Sequence, residues 1–290
     1  MTRTPRAARI RRLGSMSAIN ALLIGYCFLA VYPFLVMIFG SLKSPGEFST
    51  NPGGIPAHPT TGNFTYIGTG FRGGLLWRSL LNSFIVAVPY TALTVLLAAM
   101  AGYAFAKYRF RGQTVIFALL VASMLIPLEV NIPTLYVLFS HIGWLNTYQV
   151  QIFPGLGSGI GVLCMFMARQ YMRGLPDEVL EAASVDGAGH WRRFWQIAMP
   201  MSLPILAAIA VFAFVFKWSD YLWPLVMVTN PTYQPIMVTL PELGTAPNGF
   251  IILYEVLLAG CVIVTVPALL LFARFQDVLM RGTIAGAVRG

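Results

Sequence analysis

The chain has 290 residues, of which 57% are hydrophobic and 10% charged, with a formal net charge of +9. A soluble domain carries about 25% charged residues, so this composition cannot cover a water-facing surface and predicts an integral membrane protein. The basic residues are scattered between apolar runs, which argues against nucleic-acid binding and suits loops on the cytoplasmic side of a membrane.

Cys27, Cys164 and Cys261 each sit inside an apolar run without a CxxC neighbour, and read as small core residues. His58, His141 and His190 are too far apart in sequence for metal-ligand spacing, so no metal site is expected. The chain has no GxxxxGK[ST] phosphate loop and does not bind ATP by that device.

Residues 1–16 form a basic N-terminus with Arg3, Arg6, Arg9, Arg11 and Arg12. The apolar run behind it is too long for a signal peptide and lacks a small-residue cleavage site, so it predicts a retained first span at 17–40. Crossing a bilayer takes about 20 apolar residues. Six stretches qualify: Ser17–Gly40, Phe84–Ala106, Thr114–Phe139, Gln149–Ala168, Met201–Val228 and Phe250–Ala273. They are too long and too evenly apolar for barrel strands. The expected fold is all-α, with six transmembrane helices.

With the N-terminus in the cytoplasm, the inside segments hold the five N-terminal arginines, Lys107, Arg109, Arg111, Arg169, Arg173, Arg192, Arg193, Arg274, Arg281 and Arg289. The outside segments hold only Lys43, Arg72 and Arg78, and Lys217 lies within a span. This bias places both termini and residues 169–199 in the cytoplasm. Residues 41–83 form an external loop rich in Pro and Gly. Residues 84–280 form a core of five helices, and everything after the first span reads as one folded unit. No repeat of a solenoid is present.

In the third span, "MLIPLEVNIPTLY" puts Glu129 and Asn131 between Pro127 and Pro133. Two prolines break a helix, and broken helices at membrane depth are tolerated beside a cavity. Glu129 and Asn131 either line a pathway or sit at a simple kink, with Glu129 near the outer surface. "PGLGSGIG" at 154–161 does not fit GxGxxG. Gly157 and Gly161 form GxxxG, which suits close helix packing.

Residues 175–199 read as helix, bend, helix. Pro176 suits a first helical position, and Asp177 and Glu178 suit the first turn, where the helix dipole favours acids. Val179, Leu180 and Ala183 give an apolar side. Gly187 and Gly189 stop the helix. From His190, the positions Trp191, Phe194, Trp195 and Ala198 fall on one face, with Arg192, Arg193 and Gln196 on the other. Periodicity alone suits a helix lying at the membrane interface. Pro200 opens the fifth span.

Lys217 and Asp220 lie in that span, three residues apart and on one helical face. Each would cost about 2.5–3.5 kcal/mol facing lipid at mid-membrane, so they face the interior, a partner or each other. They form a gate or pathway, or an ion pair that pins packing. External loop 229–249 has four prolines and no Lys or Arg, and would expose Tyr233, Ile236, Met237, Leu240 and Leu243 if nothing covers them. Residues 281–290 carry Gly282, Gly286 and Gly290 and would be disordered alone.

"EAASVDGAGHWRRFWQIAMPMSLP", residues 181–204, closely resembles the EAA loop of ABC-importer permeases of the carbohydrate-uptake type, EAAxxDGAxxxxxFxxIxxPxxxP. Glu181, Ala182, Ala183, Asp186, Gly187, Ala188, Phe194, Ile197, Pro200 and Pro204 match. "NSFIVAVPYTALTVLLAAMAGYAFAKYRFRG" (82–112) looks like the second span and following loop of that family. "FKWSDYLWPLVM" (216–227) resembles its fifth-span signature, with Ser219 in place of the usual Asn. "RGTIAGAVRG" (281–290) looks like the tail of the maltose-type second permease. The resemblance covers nearly the whole chain.

The resemblance implies the type I importer permease fold in a bacterial inner membrane. It implies a sister permease subunit, two copies of a cytoplasmic ATP-binding subunit that hold ATP and Mg, and an extracytoplasmic sugar-binding protein. No catalytic residue, cofactor or metal belongs to this chain. Glu181 to Ala188 and Phe194 would form a coupling helix docked on the ATPase. Thr283, Ala285 and Gly286 would enter the seam between the two ATPases. The loop residues Tyr233, Gln234 and Thr245 would reach into the binding protein. Glu129, Asn131, Lys217, Trp218 and Asp220 would form a pathway or gate, where rings such as Trp218 and Trp223 can stack on a sugar. Two other readings compete. An ion-gradient-driven secondary transporter would use Glu129, Lys217 and Asp220 as coupling charges. A membrane-embedded enzyme would need a convergent acid/base or metal set, which the sparse acids and histidines do not supply.

Overall fold

The computed structural model describes residues 6–71, 74–157, 159–245 and 252–287, with backbone alone at 6–18, Leu128 and 277–287. The main helices are α1 (Arg6–Ser41), α2 (Leu75–Lys107), α3 (Gln113–Ser123), α4 (Ile132–His141), α5 (Ile160–Arg173) and α6 (Asp177–Val185). They are followed by α7 (His190–Met201), α8 (Leu203–Trp218), α9 (Leu222–Met227), α10 (Ile236–Leu243) and α11 (Tyr254–Ala287). Among the described residues the only extended pairing is one isolated bridge, Thr245 with Ile252.

Contacts divide the chain into two compact units, Met1–Gly70 with Leu243–Ile263, and Phe71–Glu242 with Val264–Gly290. The expected single unit after the first span is not how the chain divides, because the end of α10 and the start of α11 group with the N-terminal part.

In the first unit, α1 exposes Leu22, Ile24, Phe28 and Leu29 along its apolar stretch, as a helix facing hydrocarbon can. Gly40 lets Leu258 of α11 approach, since a Cβ there would collide with the Leu258 side chain. Phe48 stacks on Tyr254 with ring centroids 6.0 Å apart. The polar segment after α1 is folded around a cation. Lys43 is fully buried, and its Nζ donates to the carbonyls of Asn51 (2.5 Å), Gly54 (2.6 Å) and Pro52 (3.4 Å). Asn63 Nδ2 donates to the carbonyls of Ser41 and Lys43, both at 2.8 Å. A buried ammonium is tolerated when its donors are satisfied, and here backbone oxygens satisfy them.

In the second unit, α2 lies against α5 and α8. Ala98, Ala99 and Gly102 of α2 and Ala168 of α5 belong to the contact, and a Cβ on Gly102 would lie 2.7 Å from that of Ala168. Small residues let helix backbones approach closely where lipid supplies no hydrophobic drive. Gly161 plays a different part from the expected helix packing. A Cβ there would strike the Leu156 carbonyl of its own turn, while Gly157 faces open space.

Among the described residues, three helices can cross a membrane unbroken by length and composition: Ile19–Ser41, Leu75–Lys107 and Tyr254–Gln276. α2 begins at Leu75, ahead of the expected Phe84. The other three expected spans are interrupted. The third is α3, then a 3-10 turn Leu128–Asn131 after Pro127, then α4 with Pro133 in its first turn. The fourth is a helical turn Gln149–Ile152, a glycine-rich break and α5. The fifth is α8 and α9, separated at Ser219–Tyr221, and α8 itself meets α7 at a 78° bend. Proline and glycine explain the first two breaks, since proline lacks the N–H that the helical ladder needs and glycine loses the most backbone freedom in a helix. At the C-terminus the backbone of α11 stays helical to Ala287, in a segment expected to be disordered only in isolation.

Candidate functional site: a capped joint and a charged cavity

Helix α6 ends in a Schellman motif, a left-handed cap closed by two backbone hydrogen bonds. Ala188 N–H donates to the Ala183 carbonyl at 2.8 Å and Gly187 N–H to the Ser184 carbonyl at 3.1 Å. Gly187 has φ of +81°, a value that costs other L-residues. The spacing of Ala183, Asp186, Gly187 and Ala188 is therefore the cap itself. Gly189 is extended, with φ −66° and ψ 170°, and acts as the N-cap of α7 rather than as a second stop. Pro176 is likewise the N-cap of α6, one position earlier than expected.

The outer face of this joint is open: Glu181, Ala182 and Asp186 are exposed, while Leu180 is buried. Lys107, at the end of α2, anchors the other side. Its Nζ lies 2.6 Å from Asp177 Oδ1 and donates to the Leu175 carbonyl at 2.7 Å. Tyr108 Oη meets His190 Nδ1 at 2.8 Å, and Arg193 approaches the same nitrogen at 2.9 Å.

The expected aromatic face of α7 is divided. Phe194 is buried with its ring 5.4 Å from Tyr103, and Ala198 is buried with it. Trp191 and Trp195 are 64% and 48% exposed. Phe194–Ala198 is a π-helical turn, whose extra residue per turn rotates Trp195 away from the face that a regular helix would give it.

The charged residues of the interior gather elsewhere. Lys217 Nζ and Asp220 Oδ2 are 2.7 Å apart, with side chains 6% and 17% exposed. They line a cavity of about 70 Å³ with Glu129, Tyr90, Ile132, Gly155, Phe216, Leu222 and Trp223. Lys217 Nζ lies 5.3 Å from the centre of the Tyr90 ring, within reach of a cation–π contact. Glu129 reaches the wall because its 3-10 turn is held between Pro127 and α4. Asn131 is the N-cap of α4, is exposed and does not reach that wall.

Trp218 also lies off the wall. Its Nε1 donates to the Val264 carbonyl at 3.2 Å and its ring stacks on Phe214 at 5.4 Å. Trp223 presents a ring there instead, held by Nε1 donating to the Val150 carbonyl at 2.8 Å. The sequence reading did not single out Tyr90 and Gly155. Pro89 inside α2 was the available signal for the first. For the second it was the glycine run after Pro154.

Segment 229–242 is folded against its own unit. Asn82 Nδ2 donates to the Thr232 and Gln234 carbonyls at 2.9 and 3.0 Å, and Ile236 N–H donates to Ser83 Oγ at 2.8 Å. Tyr233 packs edge-on to Tyr148 at 5.1 Å, and Gln234 Nε2 donates to the Val228 carbonyl at 3.1 Å. Ile236 and Leu243, which would be exposed if nothing covered them, are buried, and 236–243 is helical and not loop. Thr245 is exposed, and the loop beyond it, 246–251, lies outside the described residues. The side chains of Thr283, Ala285 and Gly286 lie outside them too.

Residues 94–284 match the family described as binding-protein-dependent transport system inner membrane component. The arabinooligosaccharides transport system permease protein AraQ of Halalkalibacterium halodurans is 35% identical over 278 residues, covering 93% of this chain and 96% of that protein. The diacetylchitobiose uptake system permease protein NgcG of Streptomyces coelicolor is 32% identical over 282 residues, covering 97% and 89%. A bacterial ABC transporter involved in importing the acidic polysaccharide alginate has a chain of the same fold, with a TM-score of 0.74 at 20% identity over 96% of this chain and 99% of that one. The match removes support from the ion-gradient alternative for Glu129, Lys217 and Asp220, because the family is one of permease subunits that serve binding proteins. The all-helical fold, the membrane-length helices and the family match over most of α2 to α11 converge: the chain belongs to the inner-membrane permease components of binding-protein-dependent ABC importers.

Proposed function

We propose that this subunit forms half of the translocation pathway for an oligosaccharide and docks on a cytoplasmic ATPase through α6, Gly187 and α7. The observation that carries the reading is the capped joint, which holds exposed Glu181 and Ala182 on a rigid bend. A stiff element transmits displacement, and a flexible one would absorb it. Small residues at Ala182 and Ala183 permit close docking. ATP and Mg are held by two copies of the partner ATPase, whose closure tilts the spans between inward- and outward-facing states. A sister permease supplies the other half.

Sugar as substrate rests on the relatives, which are named for arabinooligosaccharides and diacetylchitobiose. The cavity at Lys217 and Asp220, about 70 Å³, has room for a few waters and none for a sugar ring. Its wall of Glu129, Lys217, Asp220, Tyr90 and Trp223 is the closed gate in this reading. Six passes with both termini cytoplasmic follow from the charge bias, the broken helices counting as single passes. Thr245, Tyr233 and Gln234 form the contact with the binding protein. Thr283, Ala285 and Gly286 contact the ATPase seam.

The test is reconstitution of the whole complex with its binding protein. ATP hydrolysis is measured with arabino-oligosaccharides, diacetylchitobiose, and an amino acid as the contrasting solute. Stimulation by a sugar-loaded binding protein is the expected result. Stimulation by the amino acid alone would overturn the sugar assignment.

A further inference from the structure

We propose that Lys107 is the positioning residue through which displacement of α6 reaches the charged cavity. This rests on the reading of α6 as the docking helix. Three observations carry it. First, the Lys107 side chain is only 7% exposed and its ammonium is divided between Asp177 Oδ1 (2.6 Å) and the Leu175 carbonyl (2.7 Å). Asp177 is the first residue of α6 and Leu175 lies in the turn just ahead of its N-cap Pro176, so the cation clamps the junction from which α6 starts. Second, Lys107 is the last residue of α2, which runs as one helix back past Tyr90. At about 1.5 Å per residue, the two positions are about 25 Å apart along one rod. Pro89 is the helix-breaking residue of α2, and it lies beyond Tyr90 as seen from Lys107, so the connecting stretch keeps its full hydrogen-bond ladder. Third, the Tyr90 ring faces Lys217 Nζ at 5.3 Å on the cavity wall. A pull on α6 is thus delivered to the wall by a stiff element gripped at one end.

A second route exists through the chain itself, since α5 leads into α6 across Gly174 and Pro176. Close packing of Gly102 against Ala168 joins α2 to α5 near the same end. Breaking the Lys107 clamp alone distinguishes the two routes.

The experiment uses the full complex in proteoliposomes and reads the ratio of binding-protein-stimulated to basal ATP hydrolysis, with uptake in parallel. Lys107→Met keeps the apolar stem and removes the charge. It is expected to lower the ratio about tenfold, within the range for residues along a coupling route, with assembly on the ATPase intact. Lys107→Arg should restore most of the ratio, because a guanidinium still reaches both oxygens. Asp177→Ala, at a carboxylate 72% exposed and dispensable for packing, should lower the ratio about threefold, since the Leu175 contact remains. A normal ratio in Lys107→Met, with Gly187→Pro inactive, overturns the role of Lys107 and leaves the route through α5. If Lys107→Met fails to assemble, Asp177→Ala decides: a reduced ratio supports the proposal and a normal one overturns it. Normal transport in Gly187→Pro as well would overturn the docking role of α6 and this inference with it.

Discussion

The capped joint and the charged cavity are built by opposite means. The joint is contiguous: Ala183, Ser184, Gly187 and Ala188 make its cap through backbone hydrogen bonds within six residues. The cavity draws Tyr90, Glu129, Gly155, Lys217 and Trp223 from four separate segments. The joint therefore depends on one backbone angle, and the cavity on the packing of the whole second unit. A capped bend can be written in a short motif, whereas a charged cavity needs a folded bundle around it.

The largest effect is expected at the joint. Proline cannot adopt the φ of +81° at Gly187, and it would also lose the hydrogen bond to Ser184. Gly187→Pro should reduce uptake to background with normal protein in the membrane. Asn tolerates the left-handed region, so Gly187→Asn should retain most of it. Equal loss in both variants would show that the side chain and not the backbone angle matters, and the contrast with the cavity would weaken.

An intermediate effect is expected in the cavity. Removing one member of a buried ion pair costs about 3–5 kcal/mol, whereas replacing both can be neutral. Lys217→Met or Asp220→Leu should each lower the thermal midpoint of the purified complex, and the double variant should recover most of the loss. If the double variant is as unstable as the sum of the singles, the pair is not a self-contained unit, and Glu129 must be included in it.

The smallest effects separate two glycines that look alike in sequence. Gly102→Val would press on Ala168 and on the Arg169 backbone nitrogen, 2.7 and 2.9 Å from a Cβ at that position. Overpacking of this kind costs about 1–3 kcal/mol. Gly157→Ala meets nothing within 4 Å, and its midpoint should match that of the parent. A reversal of this order would place the tight helix contact at the GxxxG pair after all.

Much of the candidate site was legible because it is local. The dipole-favoured acids Asp177 and Glu178, the stop at Gly187 and the break between Pro127 and Pro133 are all short-range consequences of backbone chemistry. The divided face of α7 was not legible, because a π turn alters the period on which a face is counted. Nor was the burial of 236–243, since four prolines in a polar stretch read as a loop until Asn82 and Ser83 of α2 supply partners for its backbone.

Composition and short-range pattern are enough for the membrane setting, the asymmetry of the charges along the chain, the break between Pro127 and Pro133 and the family, because each follows from composition or from residues adjacent along the chain. Only the tertiary structure decided that Lys217 pairs with Asp220 beneath Tyr90, that Trp223 and not Trp218 faces the cavity, that Lys43 is caged by carbonyls, and that Lys107 grips α6. Apart from the Lys217–Asp220 spacing, those contacts join residues whose encounter depends on how helices and loops fold back on one another. A side chain's partner there is set by packing across the bundle, which no local period encodes.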